Sequence, residues 1–236
     1  MIKILKETKV GEVVSSNFKV AEIFEKYGID FCCKGGMSLD AACQSKNIDP
    51  ELFIKELTSS ISIKSDPTQN FLDWPLDLLA DYIEKKHHRY IREKTPMIQT
   101  YLTKMVNAHG SRYPQLIEVQ HLFEQSVLDM HVHMRKEEMI LFPYIRNKVQ
   151  SISKSGSGNL FTSIQTPVNI LKQDHEIEGS RFEKIAELTN QFEPPAAACI
   201  THKVCLSMLK EFELDLHHHI HLENNILFPK ALALEN

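Results

Sequence analysis

His133-Met134-Arg135-Lys136-Glu137-Glu138-Met139-Ile140-Leu141-Phe142-Pro143 returns 86 residues later as His219-Ile220-His221-Leu222-Glu223-Asn224-Asn225-Ile226-Leu227-Phe228-Pro229. Each copy places Glu four residues after His, and Phe-Pro five and six residues after that Glu. Four residues on an α-helix turn through roughly 400° and rise about 6 Å. His and Glu therefore share one helix face and can reach one inward point.

The repeat extends upstream. Asp129 and Asp215 each stand four residues before the repeated His. His88 precedes His133 by 45 residues, and His175 precedes His219 by 44. The repeating unit reads as a helix pair, with one His on its first helix and His-x3-Glu on its second. Two pairs make a four-helix bundle with four His and two Glu aimed at its centre, the way such folds hold dinuclear metal sites. Imidazole and carboxylate suit Fe, Mn or Zn. Two six-coordinate ions offer about twelve positions. Four terminal His, two bridging Glu and an oxo or hydroxo bridge leave about two for water, O₂ or NO. Two divalent ions against two carboxylates and an oxo bridge come close to neutral, which makes burial tolerable.

A single His-x3-Glu is ordinarily an exposed i,i+4 pair worth a few tenths of a kcal/mol. Two copies at matched intervals argue for metal instead. At His87-His88 the interval favours His88 but leaves His87 open. His217 matches His131, roughly 200° round the helix from the ligand face, and both read as surface or supporting residues. His218 and His221 have no His counterpart in the first copy. His109, His121 and His202 read as loop or surface residues. Asp129 and Asp215 read equally well as acceptors for ligand imidazoles or as solvated charges. Asp174 and Glu176 read as a solvated face, and Phe142 and Phe228 as core.

With 236 residues and a net charge of −4, the chain has no long basic run, which argues against nucleic acid or anionic membrane as a main partner. No apolar stretch approaches the ~20 residues of a membrane span, and the first residues lack a signal-peptide pattern. A cytoplasmic protein is expected. Five Cys without a Cys-x2-Cys pair make a disulfide framework a poor reading. Cys199 and Cys205 fall in an expected helix and read as small buried hydrophobes. A disulfide between the neighbours Cys32 and Cys33 would be strained. They are candidates for thiolate ligands or redox thiols, with ordinary thiols in a turn as the alternative.

Residues 1–63 read as a small helical domain. Helices are expected at Asn17–Tyr27, after a Ser38 cap, and after Asp49-Pro50. Residues 64–74 read as a linker and 75–236 as the bundle. Its first helix runs to about Val106, with a kink or break at Pro96. The second spans Gln115–Val149, bent at Pro143. Ser151–Asn159 forms a crossover, Phe161–Asn190 the third helix, and Ala196 to the end the fourth. No segment alternates with period two, so no sheet is expected.

The His-Met-x-Lys-Glu-Glu-x-Ile-Leu-Phe-Pro and Leu-Glu-Asn-Asn-x-Leu-Phe-Pro segments, with Asp-Phe-Cys-Cys followed by glycines, resemble the Repair of Iron Centers family, the hemerythrin-like YtfE/ScdA group. The resemblance covers essentially the whole chain. One departure is Lys34, between Cys33 and Gly35-Gly36. The resemblance implies a Cys-Cys domain before a hemerythrin-like di-iron four-helix bundle. It implies the ligands His88, His133, Glu137, His175, His219 and Glu223, and supports His88 over His87. It further implies two non-haem irons, carboxylate- and oxo- or hydroxo-bridged. The implied role is repair of iron–sulfur clusters damaged by nitrosative or oxidative stress, by iron donation to the damaged proteins, with a thiol role for Cys32 and Cys33. Two other readings remain: a di-iron NO or peroxide reductase, and an O₂- or NO-binding sensor or carrier. A homodimer is compatible with the sequence.

Overall fold

The computed structural model describes residues 4–61, 70–153 and 163–235. Residues 64–69 of the expected linker, 154–159 of the expected crossover and the expected start of the third helix at Phe161 lie outside the described residues. Among those described, the chain is all-helical, and its one bridge is the isolated pair Lys9 and Ser38. The chain divides into two compact units, residues 81–216 and residues 1–80 with 217–236.

In the 81–216 unit four helices pack together: α6 (Arg89–His109), α7 (Gln115–Lys136), α9 (Gln165–Leu188) and the first part of α10 (Ile200–Leu222). Phe123 on α7, Phe182 on α9 and Phe212 on α10 form the aromatic centre, with ring centroids 5.4–6.4 Å apart. Edge-on and offset rings at that spacing add packing energy beyond area burial. Ile98, Leu102 and Met105 recur on one face of α6, all fully buried, as an amphipathic bundle helix requires. Pro96 does not break α6, which runs through it.

Three helical rods carry a π-turn. Ile83–His88 lies between α5 (Leu76–Tyr82) and α6, Glu137–Leu141 between α7 and α8 (Phe142–Ser153), and Glu223–Leu227 between α10 and α11 (Phe228–Ala233). The last two follow from the repeated Phe-Pro. Pro143 and Pro229 have no N–H to donate to the carbonyl four residues back. The chain widens instead: Phe142 N–H bonds Glu137 O, and Phe228 N–H bonds Glu223 O, each five residues back.

Helix α10 starts four residues later than the expected Ala196. Pro194 and Pro195 are followed by a turn closed by Ala198 N–H to Pro195 O at 2.8 Å. Cys199 consequently stands before the helix and is exposed, not buried as expected, whereas Cys205 is buried. Helix α9 ends in three left-handed residues, Asn190, Gln191 and Phe192 (φ 50°, 58° and 61°). Thr189 Oγ1 accepts from Phe192 N–H, and Phe192 is buried.

The second unit joins the N-terminal helices to the end of the chain. Helices α1 (Val10–Ser16), α2 (Ala21–Lys26), α3 (Leu39–Ser45) and α4 (Pro50–Ile61) surround buried Val13, Phe24, Phe31, Leu39, Phe53 and Leu57. Ser38 Oγ caps α3 by accepting from Ala41 N–H, and Asp49 Oδ1 accepts from Glu51 N–H at the start of α4, the caps those residue types favour. From residues 217–236, Ile220, Leu227 and Phe228 are fully buried.

Candidate metal centre

Three helical rods of the 81–216 unit bring four side chains together. His88 ends the first π-turn and Glu137 begins the second. His133 lies one turn before Glu137 on α7, and His175 sits mid-way along α9. Glu137 Oε2 is 3.3 Å from His88 Nε2 and 3.3 Å from His133 Nε2. His175 Nε2 is 3.1 Å from His133 Nε2. Exposure is 0% for His88, Glu137 and His175 and 1% for His133. His133, Glu137 and His175 offer ligand atoms within 4.8 Å of one another.

A buried carboxylate costs several kcal/mol unless cations compensate it. Three imidazoles turned Nε2-inward around one carboxylate form a donor set for a transition metal. The outward nitrogens are held in a matching way. His88 Nδ1 donates to Glu138 Oε1 at 2.7 Å, and Arg92 donates to the same carboxylate. His133 Nδ1 donates to Asp174 Oδ2 at 3.3 Å, and Lys136 donates to that oxygen at 2.8 Å. Each arm runs imidazole, carboxylate, surface cation. Such arms fix the tautomer that keeps the proton on Nδ1, so that Nε2 is the ligating nitrogen, and raise its basicity. The His133 hydrogen bond, backed by Lys136, holds Asp174 down at about 2. Burial alone would raise Glu138, but hydrogen bonds from His88 and Arg92 outweigh it and hold the carboxyl low. Phe142 stacks on the His88 ring with centroids 5.5 Å apart, so the repeated Phe also orients a His.

Asp174 is therefore not a solvated charge, whereas Glu176 is exposed. Asp215 accepts from His87 Nδ1 with both oxygens at 3.0 Å, and Asp129 pairs with Arg181. Neither goes to His133. Glu178, three residues after His175, is buried and accepts from Ser126 Oγ at 2.6 Å. Burial raises its carboxyl above the usual range.

In the other unit His219 Nε2 lies 2.9 Å from Glu223 Oε1, one helical turn on, and both are 0% exposed. The next two residues hold the Cys-Cys turn. Asn224 Nδ2 donates to Cys32 O at 3.2 Å and Asn225 Nδ2 to Phe31 O at 3.2 Å. Asn225 also reaches His221 Nδ1 at 3.0 Å. The approach is close enough that a Cβ on Gly11 or Gly35 would meet Asn225 Oδ1 at 2.4 Å. His217, expected at the surface or in support of ligands, packs its ring against Phe31, and His218 stacks on Phe18 at 3.7 Å. His221 lies between Phe18 and Phe31, and burial pushes it down to about 4. These three rings anchor helices rather than ligate.

Within the turn, Asp30 Oδ1 accepts from the backbone N–H of Cys32 at 3.0 Å and of Cys33 at 2.9 Å, and from Cys32 Sγ at 3.2 Å. The two form no disulfide, and their sulfurs lie 3.8 Å apart. The Cys33 sulfur, then burial and the Asp30 carboxylate, push the Cys32 thiol well up. It is a protonated thiol at neutral pH, and ligating a cation would have to expel its proton.

Helical rods and buried His–Glu pairs of this kind define a hemerythrin-type metal-binding bundle, and residues 80–231 match the hemerythrin HHE cation-binding domain. Residues 6–60 match the ScdA_N domain, described as a domain of unknown function. The iron-sulfur cluster repair protein ScdA of Staphylococcus haemolyticus is 34% identical over 234 residues, covering 96% of this chain and 99% of that protein. A probable iron-sulfur cluster repair protein of Haemophilus influenzae is 36% identical over 229 residues, covering 96% of this chain and 97% of its own. The iron-sulfur cluster repair protein YtfE of Escherichia coli is 31% identical over 233 residues, covering 98% and 99%. The chain belongs to this ScdA/YtfE family of hemerythrin-like proteins.

Glu138, Asp174 and the Asn224-Asn225 grip escaped sequence reasoning. One signal was available: the copies differ after the ligand Glu, with Glu138-Met139 in the first and Asn224-Asn225 in the second. The first copy uses that position to support His88; the second uses it to hold the Cys turn. No helix among the described residues is long and apolar enough to cross a membrane.

Proposed function

We propose that the protein repairs iron–sulfur clusters damaged by nitrosative or oxidative stress, donating iron carried as a two-iron centre on His88, His133, Glu137, His175, His219 and Glu223. The observation carrying this reading is the buried Glu137 carboxylate, with His88 and His133 Nε2 each 3.3 Å from it and their Nδ1 atoms held by Glu138 and Asp174. The repeat supplies the same His-x3-Glu at His219 and Glu223, and the matched cation-binding domain runs through both copies. The relatives' names carry the repair role.

Iron bound here would be a Lewis acid open to exchange and to small ligands such as NO or O₂. The chain's own part is to hold His88 and His133 in one tautomer, keep the carboxylates dry and let the metal go to an acceptor. Cys32 and Cys33 fit the last step. Their turn is tied to the two residues after Glu223, and the pair would receive leaving iron as thiolates. In domain terms, residues 1–63 form the Cys-Cys module, 64–74 the linker and 75–236 the iron-holding bundle, working in the cytoplasm on damaged iron–sulfur proteins.

The test is metal analysis with Mössbauer spectroscopy on protein from iron-supplied cells. About two coupled irons per chain are expected, lost in Glu137→Ala and in Glu223→Ala. Cys32→Ser/Cys33→Ser should keep the di-iron spectrum and lose restoration of a damaged cluster. Zinc alone, or one metal per chain, would overturn the centre, and full repair by the double variant would overturn the thiol role.

A further inference from the structure

A second cluster of reactive groups lies wholly within the 81–216 unit, on residues the metal centre does not use. Cys199 stands directly before α10, with its carbonyl accepting from Lys203 N–H at 3.1 Å. Cys199 thus takes the N-cap position of α10, where the unpaired backbone N–H groups of a helix's first turn point. His109, the last residue of α6, puts Nε2 3.0 Å from Cys199 Sγ. The residue is exposed, so small reagents reach it.

A third group completes the cluster. His202 is 2% exposed, and its Nδ1 is buried without a hydrogen-bond partner. Its ring lies 5.4 Å from His109 and 5.9 Å from Tyr113. It lines a cavity of about 100 Å³ together with Tyr113, Asn190 and Glu193. Burial, then His109, push this imidazole below its ordinary value, so it is neutral at pH 7 and its ring can hold a polar small molecule by one more hydrogen bond. About 10–15 Å³ of such space already holds one water, so a small polar molecule fits.

A thiol beside an imidazole at a helix N-terminus is the setting that favours thiolate, since backbone N–H groups and the dipole stabilise the anion. Both effects hold the Cys199 thiol below its ordinary value, the His109 hydrogen bond more than the backbone N–H groups. Cys32, Cys43 and Cys205 are pushed the other way.

We propose that Cys199 and His109 form a peroxide-reactive thiol site, at which the Cys199 sulfur reduces a small hydroperoxide and becomes a sulfenic acid. The sulfur attacks the outer oxygen, forming an S–O bond as the O–O bond breaks. The proton shared between Sγ and His109 Nε2 passes to the leaving oxygen, giving water from hydrogen peroxide or an alcohol from an alkyl hydroperoxide. Sulfur is oxidised by two electrons and the peroxide reduced by two.

The experiment is alkylation of the full iron-loaded chain with iodoacetamide between pH 5 and 9, resolved by cysteine through peptide mass mapping. Cys199 should label about tenfold faster than a free cysteine peptide at pH 6.5. His109→Gln should remove that advantage while iron content and helicity stay unchanged. Dilute hydrogen peroxide followed by a 1,3-dione trap should place the sulfenic adduct on Cys199 ahead of the buried cysteines. A Cys199 profile matching the free peptide overturns the proposal, as does fast labelling with no dione adduct. The native pH profile decides even if His109→Gln fails to fold, and no readout depends on cluster repair.

Discussion

Glu138 shows how much a single side chain decides at this centre. It takes the His88 Nδ1 proton at 2.7 Å while Arg92 holds it from outside. Glu138→Gln keeps the shape but weakens the acceptor, so His88 loses its fixed tautomer. Loss of such a partner typically costs 10- to 100-fold in metal affinity. We expect iron affinity to fall by that order in a chelator competition, with far-UV circular dichroism unchanged; unaltered affinity would make Glu138 a mere ion-pair partner of Arg92. His133 with Glu137 was legible in the sequence because both stand on one helix, four residues apart. Glu138 and Asp174 were not, because they meet their imidazoles across 50 and 41 residues of chain. Only packing brings them together, and a lone acidic residue carries no periodic signal to announce it. The His217–His221 cluster was ambiguous for the same reason. What separates His219 from its neighbours is which of them meets Phe18 or Phe31.

At the level of elements, helix existence was legible from apolar periodicity and caps, whereas the π-turns were not. Pro143 and Pro229 announced a disturbance, but the form it takes depends on whether a helix kinks, breaks or widens. Here the bond from Phe142 N–H to Glu137 O widens the turn, and packing on both sides keeps the rod going. Turns of this kind are frequent at functional sites because they re-aim side chains. Pro143→Ala restores an N–H that can bond Met139 O, and it permits the ordinary α register. The expected result is a helix no less stable but a displaced Glu137. Thermal midpoint should hold or rise slightly, while iron content falls and the Mössbauer quadrupole splitting changes. An unchanged spectrum would mean that packing, not proline, sets the π-turn. The later start of α10 has the same character. The two prolines marked a turn, but only the Pro195–Ala198 turn shows that Cys199 becomes the first capping position instead of a buried thiol.

Over the whole molecule, the least expected feature is the union of the two chain ends. The sequence reading assigned everything after residue 75 to the bundle. By compactness, residues 217–236 also group with residues 1–80 in one unit. Phe31 is central to that unit. It is 1% exposed, and its ring meets Phe18, Phe24, His217 and His221 at centroid distances of 5.6–6.4 Å. Its carbonyl takes the Asn225 hydrogen bond. Phe31→Ala leaves a cavity at a junction of residues nearly the whole chain apart. Such truncations cost about 3–5 kcal/mol, and a chain of this size loses about 2–4 °C of melting temperature per kcal/mol. Calorimetry should therefore show a drop of roughly 6–20 °C. The Cys turn would lose the ring that supports it, and a shifted turn would loosen the hydrogen bonds that Asn224 and Asn225 give to the backbone carbonyls of residues 32 and 31. Under the proposed iron-donor role, chelator-driven iron release should then be faster well below the melting temperature. A lower melting temperature with an unchanged release rate would show that the Cys-Cys module stabilises the chain ends without controlling the iron. Faster release at a temperature where both proteins are fully folded would show that the module controls the exit of the metal.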